Sequence, residues 1–152
     1  MRHKNLISAS LFFANILLLA ACVPTANPAE TLEAVNETAL TLSGSAAEVS
    51  YTEEDLRAMP QSQTDYTDKD GETTIYEGIA FADLLSESGM SDYTSLIMIA
   101  ADDYSAEVTA DELSSCSGCI VAFQKEGGLR AVMPDFSGKL QVKDLVAITI
   151  NN

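Results

Sequence analysis

Cys116 and Cys119 stand three apart in Ser114–Phe123, "SSCSGCIVAF", directly before an apolar, β-branched run. That spacing serves four kinds of chemistry: a haem anchor, half of a zinc site, a thiol-redox pair, or a structural staple. A haem anchor needs histidine after the second cysteine, and Ile120 is there instead. Zinc takes four ligands as a rule, yet the chain has no second cysteine pair and its one histidine, His3, lies near the N-terminus. A redox pair works when its first thiol sits at a helix N-terminus, where the dipole favours thiolate. Here the helical pattern "ADEL" precedes the pair, which puts Cys116 at the negative end of a helix among acidic residues. A disulfide staple across Ser117-Gly118 is the expected role, with the redox pair as an alternative.

The third cysteine has a different setting. Arg2 and Lys4 precede Leu6–Ala21, a mostly apolar run interrupted by Ser8, Ser10 and Asn15. Its 16 residues fall short of the ~20 that span a bilayer, so residues 1–21 read as a cleaved export signal. "LAAC", Leu19–Cys22, resembles a bacterial lipobox, whose cysteine becomes the acylated first residue of the mature chain. Cys22 is then the lipidation site and the membrane anchor, and Val23 after it gives no sign of inner-membrane retention. Residues 22–37 carry Pro24 and Pro28 without an apolar period and read as a flexible tether, followed by one domain over 38–152. The expected location is the bacterial cell envelope, lipid-anchored and facing away from the cytoplasm.

Charge bounds the partners. The formal net charge is −15, and loss of Arg2 and Lys4 with the leader makes the remainder more acidic still. Such a balance excludes nucleic acid and anionic membrane surface as partners on electrostatic grounds. The acidity is uneven: 17 acidic residues lie between Glu48 and Glu112 against Arg57 and Lys69 alone. From Leu113 onward Lys125, Arg130, Lys139 and Lys143 outnumber Glu126, Asp135 and Asp144, so an anion site belongs in this last stretch.

The elements that must position these residues alternate short strands with short helices. "TALTLSG" and "EVSYT" read as strands, and "TEEDLRAM" as a helix capped by Thr52 and stopped before Pro60. "QSQTDYTDKDGETTIYEG" is two strands about a turn at 68–71, and "IAFADLLSESG" a helix with Phe81, Leu84 and Leu85 on one face and Gly89 past its end. "SLIMIAA" is a continuous apolar strand expected to be buried on both faces. "YSAEVTADEL" passes from strand to helix at Thr109, with Glu112 completing a capping box. "CIVAFQKEGGLRAVMP" is a hairpin turning at 126–128, and "QVKDLVAITI" a strand whose Val146, Ile148 and Ile150 should share the buried face. The fold class is α+β, mainly β, with short helices between strands.

"YEGIAFADLL" (Tyr76–Leu85), "AADDYSAEV" (Ala100–Val108) and "GGLRAVMPDFSGKLQVKDLVAITI" (Gly127–Ile150) resemble, in order, the motifs of the sulfite-oxidase-like molybdopterin-binding domain. The resemblance covers about residues 38–150 and implies an oxidoreductase fold holding a molybdenum–pterin dithiolene. It implies cofactor-binding positions at Arg130 and Lys143, beside the pterin and its phosphate, and at Gly138 in the intervening loop. A pocket between the Arg130 strand and the Tyr104 turn is where such a cofactor would show. The family's metal ligand is a cysteine on the strand before the "Y-x-G" entry, and the matching stretch here, "SQTDYTDKDGETTIYEG", has none. Asp103 stands where the family has glycine and Asp144 where it often has tryptophan, and an added carboxylate beside an anionic cofactor is unfavourable. The expectation is therefore an exported, lipid-anchored, non-catalytic binding or interaction module with no metal site and no cofactor. The alternatives are a molybdopterin-dependent oxidoreductase with unconventional ligation, and a thiol-redox protein working through Cys116 and Cys119.

Overall fold

Leu40 and Leu42 alternate with threonine and serine along β1 (Thr38–Ser43), and both leucines are buried. In the computed structural model, which describes residues 37–45 and 47–152, this strand opens a five-stranded sheet of order β2-β1-β9-β5-β6. Its other members are β2 (Glu48–Thr52), β5 (Ser95–Ala100), β6 (Ser105–Thr109) and β9 (Leu145–Asn151). All pair antiparallel except β1 with β9, which run parallel from Thr41↔Ala147 to Ser43↔Thr149. A second sheet has four strands, β3 (Ser62–Thr67), β4 (Thr73–Ala80), β7 (Ile120–Phe123) and β8 (Leu129–Val132), in that order and antiparallel throughout. The predicted signal, Cys22 and most of the tether lie outside the described residues.

One core joins the two sheets. Leu40, Leu42, Leu96, Met98, Ile148 and Ile150 from the first pack with Ile79, Val121, Leu129 and Ala131 from the second, together with Phe81, Leu84 and Leu85 of α2 (Phe81–Glu87). Fully burying side chains of this size contributes about 1.5–3 kcal/mol each in transfer free energy, which makes this core the main source of stability. The fold is the mixed, β-dominated α+β arrangement expected from the sequence. Two local readings need correction. Leu145, not Val146, joins Ile148 and Ile150 inside, and Val146 is exposed. The cause is a β-bulge: Ile99 and Ala100 oppose Ala147 and Leu145, so Val146 is the extra residue and the alternation shifts by one. On β5 the burial is one-sided rather than two-sided, because Leu96, Met98 and Ala100 are buried while Ile97 and Ile99 are only half-buried.

The short helices begin where the side chains say they should. Thr52 and Thr109 each accept from the amide three residues on, and Asp55 and Glu112 each return a bond to the cap amide, before α1 (Glu53–Ala58) and α3 (Ala110–Ser115). Bonds from the Thr109 amide and hydroxyl hold the Glu112 carboxyl below its ordinary range. No side chain caps α2; its Phe81 amide instead donates to the Cys119 carbonyl at 3.2 Å. Cys116 ends α3 and is bonded to Cys119, with the two Cα atoms 5.6 Å apart. So small a loop removes about 2 kcal/mol of unfolded-chain entropy at most. Replacing both cysteines by serine should lower the urea-unfolding free energy by no more than about 2 kcal/mol, with the far-ultraviolet spectrum unchanged.

Candidate functional site

Directly opposite residues on antiparallel strands point to the same face. The register Gly78↔Ala122 and Ala122↔Arg130 therefore lays the Arg130 side chain over a row of small residues on the outer face of the second sheet. Glycine at 78 is required by that row, since a Cβ there would sit 2.0 Å from the Val121 carbonyl oxygen. Further along β4, Tyr76 covers this face together with Tyr66, packing on buried Ile120, Ala122 and Val132. Arg130 lies with its guanidinium carbon 4.6 Å from the Tyr76 ring centre and donates from Nη1 to the Tyr76 hydroxyl at 2.8 Å.

The ladder between β4 and β7 covers only Gly78–Ala80. From Thr73 to Glu77 strand β4 continues alone on that side, and the chain of β7 turns away through Gln124 into the hairpin turn, where the Gln124 amide donates to the Gly128 carbonyl at 2.9 Å. A cleft of about 610 Å³ opens between them, lined by Thr74–Glu77, Phe123–Glu126, Arg130 and Arg57 of α1. Its volume falls within the usual range for small-molecule sites.

The cations of this cleft are not equivalent. Arg57 is exposed, pairs with Glu53 at 2.6 Å and lies 3.9 Å over the Phe123 ring. Lys125 is exposed at the rim. Arg130 is buried, 8% exposed, and forms no ion pair among the described residues. Its Nε is fully enclosed without a hydrogen-bond partner. Glu77 and Glu126 bring negative charge to the same lining. Gln124 offers no donor, because its amide nitrogen is spent on the Leu129 carbonyl at 3.1 Å and the Asp144 carboxylate at 2.8 Å.

Of the three positions carried over by resemblance, Arg130 lies in the cleft lining. Lys143 is exposed and forms an isolated antiparallel bridge with Arg130, so the two cations share one face at the sheet margin. Gly138 starts a short 3-10 turn, Gly138–Leu140, outside the cleft lining. The cleft opens toward β4, and Tyr104 does not line it; the Tyr104 hydroxyl donates to the Lys139 carbonyl at 2.7 Å. Asp103 keeps a left-handed backbone, φ 66°, in the turn where the resembling family has glycine. Aspartate tolerates that region better than most residues. Asp144, φ 49°, holds the β9 entry against β5 through the 2.8 Å bond from the Ala101 amide to its carbonyl. Tyr76, Phe123, Lys125 and Arg57 were not singled out as site residues from the sequence. A tyrosine in "Y-x-G" and an arginine on a short helix give no sign of meeting a residue more than fifty positions away.

A molybdenum dithiolene calls for a soft thiolate from the protein. The described domain has two cysteine sulfurs, and they are bonded to each other. Among the described residues no group of three or more His, Cys, Asp or Glu side chains is arranged to hold a metal ion. The donor set does not fit that metal group.

No family model and no curated protein matches the sequence. Among solved structures, the chain is similar to the sulfane dehydrogenase SoxCD from Paracoccus pantotrophus, with 18% identity and a TM-score of 0.64. The match covers 76% of this chain but only 38% of that one, so the chain spans well under half the length of the protein it matches. The likeness is one of fold: the domain's mixed, mainly-β topology is similar to that of the matching part of SoxCD.

Proposed function

We propose that the chain is an exported, lipid-anchored protein whose domain uses a molybdopterin-binding-like fold as a non-catalytic binding module. The observation that carries this reading is the donor set. The stretch before the "Y-x-G" entry, where the resembling family carries its metal thiolate on a strand, has no cysteine here. The two cysteines that the domain does contain are tied together at the end of α3. What the fold retains is a cleft with one buried cation and an apolar wall, which suits holding a ligand. Placement of Cys116 at a helix C-terminus also removes the dipole that would activate a redox thiol. Export and anchoring are supported by the leader pattern and by the small residues before Cys22.

The test is molybdenum analysis and a pterin fluorescence assay on protein purified from its native host, with mass spectrometry of the N-terminal peptide. The expected result is neither metal nor pterin in stoichiometric amount, and an acylated Cys22 as first residue. Stoichiometric molybdenum would overturn the non-catalytic reading, and an unprocessed, unacylated N-terminus would overturn the anchor.

A further inference from the structure

A guanidinium carries five N–H donors, and Arg130 spends one of them among the described residues, on the Tyr76 hydroxyl. Its Nε is enclosed and unpartnered, and the residue is more than nine-tenths buried with no carboxylate in ion-pair range. A buried charge without a counter-charge is costly, and proteins rarely retain one unless something pairs with it. The enclosed Nε is out of a ligand's reach, so the contact falls to Nη2, which has no partner among the described residues and is not enclosed, and to the second N–H of Nη1. This outer end of the guanidinium matches the two oxygens of a carboxylate. From these observations we infer that the cleft takes a small organic monoanion, a carboxylate on a flat apolar body, with Arg130 as its receptor. This assignment rests on the reading of the domain as a binding module and names the ligand class of that same site.

Each part of the class has its own source. The single charge follows from Arg130, the buried cation of the lining without an ion pair among the described residues; Arg57 is already paired with Glu53, and exposed Lys125 shares the lining with Glu77 and Glu126, in a chain of net charge −15. One negative charge pairs with Arg130; a second would meet the two glutamates and the acidic body of the protein. The apolar body follows from Tyr76, on the Arg130 face, with Phe123 and Ile75 lining the cleft from the other face of the sheet. The two rings are each backed by a guanidinium, and Ile75 is 65% exposed at the mouth of the cleft.

The experiment is a titration of the intact protein with benzoate, followed by calorimetry and by amide chemical shifts, with benzamide as the neutral isostere and inorganic phosphate as the competing dianion. Benzoate should saturate one site, with shifts confined to Thr74–Glu77, Phe123–Glu126 and Arg130. Benzamide should bind at least about tenfold more weakly. In Arg130→Met, whose apolar side chain suits the buried position, that preference should vanish, and in Lys125→Ala it should shrink only about twofold, as for an exposed charge. The inference fails if benzoate shows no saturation by about 10 mM, if benzamide binds equally well, if the shifts fall elsewhere, or if phosphate competes as well as benzoate. A benzoate failure in molybdenum-free native protein removes this inference alone, whereas stoichiometric molybdenum removes the functional reading beneath it.

Discussion

Gly78→Ala lowers the unfolding free energy of the domain by about 3 kcal/mol or more, against a total of roughly two to five times that for an ordinary domain. The added Cβ would stand 2.0 Å from the Val121 carbonyl oxygen and 2.5 Å from the Ala122 Cα. Both obstacles are backbone, and both belong to the short ladder that joins β4 to β7. No side-chain rotation relieves the clash, so the strands must separate, and the core residues Ile79 and Val121 move with them. Urea unfolding should show the lowered midpoint, with amide exchange fastest along β4 and β7. Gly118→Ala is the control. Its Cβ meets the Thr64 hydroxyl at 2.7 Å and Pro134 Cγ at 3.2 Å, which are side-chain atoms, so its cost should be clearly smaller. Equal costs for the two variants would refute this account of Gly78.

Arg130→Met acts in the opposite direction. In buffer free of organic anions it should raise the unfolding free energy by about 1–2 kcal/mol, because it removes a buried charge that lacks a partner. Methionine keeps the length and lies over the same row of Ala122 and Gly78. The variant loses one hydrogen bond to Tyr76 and the stacking on its ring, a combined loss of about 1–2 kcal/mol, so relief of the uncompensated charge must exceed this. A gain in stability coupled to loss of anion binding is the signature of a residue kept for its ligand rather than for the fold. Destabilisation by more than about 1 kcal/mol would instead make Arg130 a structural residue. Urea melts of both proteins, each with and without benzoate, separate the two outcomes.

Local chemistry was legible in the sequence, and long-range geometry was not. Thr109 with Glu112, and the Gly127-Gly128 turn, fix their neighbours through bonds spanning a few residues, so the helix start and the hairpin could be read directly. The bulge at Val146 could not, because it depends on how β9 meets β5, some fifty residues earlier in the chain. The cleft was hidden for a related reason. It exists where β4 and β7 stop pairing, and no residue in either strand announces that their ladder ends at Gly78 and Ala122. Charge asymmetry did point to the last stretch of the domain, where Arg130 lies, yet its aromatic partner and half of the lining come from β4 and α1. The hydroxyl of Tyr76 and the guanidinium of Arg130 meet only because two strands of the same sheet carry them to one face.

The parallel seam between β1 and β9 governs the order in which the domain can assemble. In chain order β9 comes after every other strand, but in space it lies between β1 and β5. A nascent chain emerging N-terminus first thus holds the hairpins β1–β2 and β5–β6 as separate rafts, each with a raw margin and exposed leucines, until the closing strand arrives. During that interval the margin of one copy can accept the closing strand of another, so the same seam that completes the sheet is also where two molecules would exchange parts.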